Sequence, residues 1–204
     1  MIEVEIKVKI EDPENIEKKF LEFNGKYKLS LIHEDTYFNM PRGLRNLART
    51  DEALRVRKSE SYNKNDKSFP HSTKYYFTYK GSKIDKETKT RNELEVKVDD
   101  GNILKKILKI LGFREIFTVK KQRELYEFDF NGYKIEALID YIPILDEYFI
   151  EVEYIAESDN DLEKIRQLLF KFLEQFGIEK ERSIRKSYLE LIAEHLRNKK
   201  VEKN

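Results

Sequence analysis

Pairs of glutamates one residue apart recur three times in this chain, at Glu3/Glu5, Glu93/Glu95 and Glu151/Glu153. In an extended segment such residues point the same way, with Cβ atoms roughly 7 Å apart. Carboxylates that close repel, and one of them tends to take up a proton. A divalent cation removes the conflict: Mg²⁺ and Mn²⁺ favour carboxylate oxygen, and Mg²⁺ is commonly held by one or two carboxylates together with substrate phosphates. A single pair is ordinarily a solvated strand face. Three of them, with Asp140 just ahead of the third, make a metal site a competing reading. The basic residues are sorted in the same way. Arg55 and Arg57 share a face, Lys121 and Arg123 share another, Lys80 closes an aromatic-rich strand, and Lys186 lies in the last helical segment. Arginine forks take phosphate oxygens two at a time and lysine acts as a point charge. Carboxylates for a metal and cations for phosphate oxygens are together what a metal–triphosphate complex requires.

Other chemistries are weakly represented. His33, His71 and His195 have no metal-ligand spacing and read as surface or incidental residues. There is no Walker A sequence, no G-x-G-x-x-G and no G-x-S-x-G. Without cysteine, neither a disulfide framework nor a thiolate metal site is available. Forty basic residues nearly cancel 39 acidic ones, so a net charge of +1 gives no global argument for nucleic acid or an anionic membrane. No apolar run approaches the ~20 residues that cross a bilayer, and the start does not resemble a signal peptide. A cytoplasmic protein is expected. The aromatic clusters Tyr75–Tyr79 and Tyr126–Phe130 could stack bases, but at strand spacing they read as core.

The elements that must position these residues follow from periodicity. Alternation predicts strands over 2–10, 33–39, 52–58, 74–82, 91–98, 116–128, 133–141 and 148–155. Four helices are expected. The first is capped at Asp12-Pro13 and stopped by Gly25, the second runs from Asn102 to Leu111, the third from Asp161 to Phe176, and the last starts at a Ser183 cap. Eight strands with few helices between them point to an α+β fold, an antiparallel sheet with peripheral helices. An E-x-E strand leading into a capped helix that ends at glycine repeats at 3–25, 93–112 and 151–177. It reads either as a common unit recurring or as pseudo-symmetry of a barrel. One domain is expected over 1–195 with a charged tail over 196–204, and the polar stretch 59–73 reads as a long hairpin loop.

The ordered set of motifs resembles the CYTH family, the triphosphate tunnel metalloenzymes, and within it the class IV adenylyl cyclase branch. The resemblance rests on Glu3-x-Glu5-x-Lys7, Asp35-Thr36-Tyr37-Phe38, Thr50-Asp51-Glu52-Ala53-Leu54-Arg55-Val56-Arg57 and Thr78-Tyr79-Lys80-Gly81. It continues through Lys89-Thr90-Arg91-x-Glu93-x-Glu95, Val119-x-Lys121-x-Arg123-x-x-Tyr126, Asp140-Tyr141, Glu151-x-Glu153 and Lys186-Ser187-Tyr188. It implies an eight-stranded antiparallel β-barrel, open as a tunnel, with helices packed outside. It implies Glu3, Glu5, Asp140, Glu151 and Glu153 as ligands of Mg²⁺ or Mn²⁺, and Lys7, Arg57 and Lys80 as catalytic cations. Arg55, Lys121, Arg123 and Lys186 would bind substrate, with Glu93 and Glu95 on the tunnel wall. One departure is the turn at Pro143–Phe149, which lacks the glycine usual in the family and leaves the shape of that turn in question.

The partner implied is a small-molecule triphosphate, ATP or inorganic triphosphate, with neither nucleic acid nor membrane. A homodimer through outer strands or helices is compatible, though no particular residue asks for it. Two reactions share such a site. A cyclase would convert ATP to cyclic AMP and pyrophosphate, and the branch resemblance favours it. A triphosphatase would hydrolyse inorganic triphosphate, thiamine triphosphate or a nucleoside triphosphate. A third reading is a nucleotide- or polyphosphate-binding module without turnover.

Overall fold

Both faces of the first strand are buried, and this fixes the architecture. In β1 (Ile2–Ile10) eight of nine residues are buried, the charged alternate positions included. A strand can bury both faces only inside two layers or in the wall of a closed barrel. The computed structural model, which describes residues 2–201 except 67, 69, 70, 157, 159 and 160, shows the barrel. Its strands are β1, β2 (Lys26–Asn39), β3 (Ala53–Tyr62), β4 (Ser72–Lys83), β5 (Arg91–Val98), β6 (Arg114–Phe130), β7 (Tyr133–Ile142) and β8 (Glu147–Ala156). Around the wall they run β1-β5-β4-β3-β2-β6-β7-β8, and every neighbouring pair is antiparallel. The three strands carrying E-x-E, β5, β1 and β8, are therefore adjacent.

The helices are α1 (Pro13–Glu22), α2 (Gly101–Ile110), α3 (Leu162–Glu174) and α4 (Tyr188–Val201). Asp12 caps α1 by accepting from the Asn15 N–H at 2.9 Å, and Pro13 sits where no intrahelical donor is needed. Asp100 caps α2 in the same manner, accepting from Asn102 and Ile103. α1 and α3 cover the outer face of β1, β6, β7 and β8. Val4, Ile6 and Val8 pack there with Phe20, Phe128, Phe172 and Phe176, whose rings meet mainly edge to face. Tyr126 and Phe128 belong to this core, as their strand spacing suggests. α2 covers a smaller patch of Phe38, Leu54 and Val56 through Leu108. α4 is placed differently. Its Tyr188 and Ile192 pack with Val119, Ile142 and Phe149, so it stoppers one end of the barrel.

Several boundaries differ from the sequence reading. β2 starts at Lys26, seven residues early, because Lys26-Tyr27-Lys28-Leu29 continues the alternation. β3 and β4 extend to Tyr62 and from Ser72, so the segment expected as a long loop contracts to 63–71, part of it outside the described residues. The cap of α4 is Ser187, not Ser183: Ser187 Oγ accepts from the Glu190 N–H and the Glu190 carboxylate accepts from the Ser187 N–H, a reciprocal capping box. The helix runs through residues 196–201 of the segment expected as a tail, and residues 202–204 lie outside the described residues. Asn24, not Gly25, takes the left-handed turn after α1, while Gly25 is required by close approach: a Cβ there would lie 2.5 Å from the Phe128 ring. In the turn at 143–149, Asp146 adopts φ 55°, the conformation a glycine would supply, and accepts from the Tyr141 hydroxyl at 2.8 Å.

Candidate active site

Residues of seven strands, all but β7, enclose a cavity of about 550 Å³ together with the 46–52 segment and the start of α4. Carboxyl oxygens of Glu3, Glu5 and Glu153 come within 4.8 Å of one another inside it. Strand register produces this grouping. Glu5 lies opposite Glu153 on β8, and Glu3 is one inward position along β1. The electrostatics are those of crowded carboxylates. Burial, opposed by Arg123 and reinforced by Glu3 and Glu5, pushes Glu153 up to about 8. Burial and Glu151 raise Glu5. Burial would raise Glu3 as well, but Lys80 beside it holds its carboxyl below the usual range. An all-oxygen donor set whose own repulsion favours protonation fits a hard divalent cation.

The β3–β4 side of the cavity carries cations, each set against a carboxylate. Arg57 grips Asp35 with two bonds of 2.6 and 2.8 Å. Arg55 reaches Asp35, Thr78 and Glu95, and its Nε is buried with no partner among the described residues. Lys80 lies 2.6 Å from both Glu3 and Glu93. Burial pushes Glu93 up to about 7, against the pull of Lys80. Glu95 accepts from Thr78 at 2.8 Å, so Glu93 and Glu95 orient the cations of the wall.

Some expected residues do other work. Asp140 is fully buried behind the cavity wall, bound by Arg123 through two contacts of 2.7 Å and by the Tyr188 hydroxyl at 2.8 Å. Glu151 lies beside Glu5, but its oxygens are taken by Lys89 and Arg123. Neither joins the carboxylate triad: Arg123 holds both, and Glu151 also shares Lys89 with Glu5. Arg123 is likewise largely committed to Asp140 and Glu151, and Lys121 sits 3.5 Å from Asp140 and 3.7 Å from Glu151. Lys7 does not line the cavity. It is fully buried, donates to the Lys186 carbonyl and stands 4.1 Å from the Tyr188 ring centroid. Burial and Lys89 push its ammonium down to about 7. The Lys186 side chain points outward and pairs with Glu194 at 2.8 Å, so it does not reach the cavity.

Two contributors to the cavity, and one buried neighbour of its cations, were missed. Lys89 bridges Glu5 and Glu151, and Arg91 also lines the cavity. The signal was present: Lys89-Thr90-Arg91 has the same spacing as Arg55-Val56-Arg57. His33, read as a surface residue, is buried among Arg57, Lys121 and Arg123.

The site is thus a closed antiparallel barrel whose internal cavity is lined by interleaved carboxylates and cations. The CYTH domain model matches residues 1–188, and the chain belongs to that family. It is 38% identical over 192 residues to a Methanocaldococcus jannaschii protein named as a candidate adenylate cyclase, covering 94% of this chain and 98% of the relative. The PH1819 protein of Pyrococcus horikoshii shares its structure with a TM-score of 0.80 at 33% identity, over 95% of this chain and 99% of that one. The Hippeastrum protein HpAC1, a candidate adenylyl cyclase described as having a dominant triphosphatase activity, shares the fold with a TM-score of 0.63 at 18% identity, over 95% and 96% of the two chains. Among the described residues no helix is long and apolar enough to cross a membrane.

Proposed function

We propose that this protein is a cytoplasmic, divalent-metal-dependent enzyme that acts on a triphosphate inside the barrel, with ATP cyclisation as its reaction. The reading is carried by one observation: the Glu3–Glu5–Glu153 cluster shares a single cavity with Arg55, Arg57 and Lys80, and Lys80 touches Glu3. Mg²⁺ or Mn²⁺ held by the three glutamates would supply charge to the phosphate oxygens and lower the pKa of a bound oxygen nucleophile. Arg57 and Arg55 would take phosphate oxygens, steadied from behind by Asp35. Lys80, now paired with Glu3, would be available to phosphate oxygens were Glu3 held by a cation. In cyclisation the ribose 3′ oxygen bonds to the α-phosphorus, the bond from that phosphorus to the bridging oxygen breaks, and pyrophosphate departs with the electron pair while the 3′ proton passes to solvent. The name of the Methanocaldococcus relative supports this choice.

Hydrolysis of a triphosphate is the second reading, since the same tunnel fold accompanies a dominant triphosphatase activity in the Hippeastrum protein. Product analysis decides. With ATP and Mg²⁺ or Mn²⁺, cyclic AMP equal to pyrophosphate is the expected result. Orthophosphate alone would replace cyclisation by hydrolysis, and no turnover of ATP or inorganic triphosphate would overturn the proposal.

A further inference from the structure

The barrel is closed most thinly where β5 meets β1. These strands pair only at Ile2–Asn92 and Glu3–Arg91. Farther along, that edge of β1 is taken by other segments: the Glu5 carbonyl accepts from the Lys89 N–H and the Lys7 carbonyl from the Ile184 N–H. From Glu93 to Val98, β5 therefore pairs with β4 alone, and among the described residues no strand pairs with its other edge. The two faces of this overhang differ. Glu93 and Glu95 line the cavity. Leu94 and Val96 point outward and are 66% and 55% exposed. α2 extends the apolar face. Leu108 packs on the barrel and Lys109 pairs with Glu115 of β6, so Ile103 and Ile107, exposed on the other flank of the helix, lie toward β5. A half-paired strand with an apolar outer face is a template for another strand, and 93–98 carries neither the proline nor the bulge that would blunt it.

We infer that β5 pairs antiparallel with β5 of a second copy of this chain, about a two-fold axis between the two Val96 residues. The strand's own sequence selects that partner. A two-fold axis normal to the sheet sets inner face beside inner face, so opposed residues share an orientation. With the axis at Val96, Val96 meets Val96, Leu94 meets Val98 and Glu95 meets Lys97. The outer side of the junction becomes a continuous apolar stripe, and the inner side sets two opposite-charge pairs. Glu93 and Asp99 would come next, but the strand ends at Val98 and the chain bends away. An axis at Glu95 would oppose two carboxylates and draw in Asn92, which β1 already holds. An axis at Lys97 would oppose two ammonium groups. The pairing also reaches the site. Lys97 of the second copy stands opposite Glu95, which accepts from Thr78 and Arg55 on the β3–β4 side of the cavity.

The test is sedimentation velocity of the full chain at concentrations up to about 100 µM, on wild type and Val96→Lys, with oxidative cross-linking of Val96→Cys. The wild type is expected to sediment as a dimer. Val96→Lys sets two ammonium groups against each other at an exposed strand position outside the core, and is expected to raise the dimer Kd about a hundredfold or more. The chain has no cysteine, so a disulfide formed by Val96→Cys can only join two copies at this position. Directly opposed antiparallel residues lie within the span of such a bridge. Ile110→Cys, on the solvent side of α2, is the control and should stay unbridged. A wild type that remains monomeric at about 100 µM, or a dimer whose Kd is the same in Val96→Lys, overturns the inference. A Val96→Cys dimer that oxidation leaves unbridged overturns the register. These readouts do not depend on which reaction the barrel performs.

Discussion

The two faces of β1 are equally dry and chemically opposite. Val4, Ile6 and Val8, on the outer face, are at most 1% exposed; Glu3, Glu5 and Lys7, on the inner face, are at most 9% exposed. Outside, burial is favourable in itself, at roughly 25 cal/mol per Å² of apolar surface. Inside, each buried charge costs several kcal/mol of desolvation that only partners return. Lys80 compensates Glu3, and Lys89 compensates Glu5. Glu153 is left 3.8 Å from Arg123, and its carboxyl rises accordingly. The outer face holds the barrel shut. The inner face stores unfavourable charge, which the proposed metal and triphosphate would relieve.

The sharpest way to break this comparison is to neutralise the inner face alone. Glu3→Gln, Glu5→Gln and Glu153→Gln are each expected to abolish metal-dependent turnover. Glu153→Gln, which removes repulsion from a poorly compensated carboxylate, should leave thermal stability unchanged or raised. Product assays paired with melting curves check this, and wild-type rates in all three would remove the metal assignment.

An outer-face change should do the reverse. Phe20 is fully buried and meets Phe128 and Phe176 at 5.2 and 4.8 Å between ring centroids. Phe20→Ala is expected to cost ~3–5 kcal/mol of unfolding free energy. KM at temperatures where the variant stays folded should hardly move, as urea titration and steady-state kinetics would show.

Arg57 joins the two behaviours. Removing it leaves Asp35, which is 2% exposed, with only the longer 3.4 Å contact to Arg55, and breaking a buried pair costs up to ~3–5 kcal/mol. Arg57→Ala should therefore lose both stability and affinity for triphosphate. The double variant Arg57→Ala/Asp35→Asn should regain much of the stability and none of the affinity. Recovery of both would mean that Arg57 is structural only.

A smaller effect comes from His33. Burial first, and then Arg57, hold its imidazole well below the ordinary value. The unfolded chain binds the proton at the higher pH, so this contribution to stability is intact above ~6.5 and is lost as pH falls below it. His33→Gln should reduce the acid sensitivity of unfolding by at most ~1.4 kcal/mol per pH unit. Identical pH dependence in the two proteins would show that His33 is not held neutral.

Legibility followed the same division. Strand alternation exposed the sorted faces, and with them the carboxylate pairs and arginine pairs, because a period of two fixes which residues share a side. The motifs around Glu3, Arg55 and Lys80 pointed to the barrel. Partner choice was not legible. Asp140 and Glu151 look like Glu153 in sequence, yet Arg123 and Lys89, distant in the chain, claim them. Lys186 sits beside Tyr188, but it lies in the bend ahead of α4, which sends its side chain out to Glu194 while Tyr188 enters the barrel.

The chain by itself determined its alternating strands, its caps at Asp12 and Asp100, and the residue types available to a metal and a triphosphate. These depend on neighbours within a few residues, where backbone geometry is set locally. Closure of β1 against β5 and β8 decided which three carboxylates meet and which cations lie beside them. Those outcomes depend on register between strands far apart in sequence. A buried charge is also resolved by the nearest opposite charge in space, whatever its position along the chain.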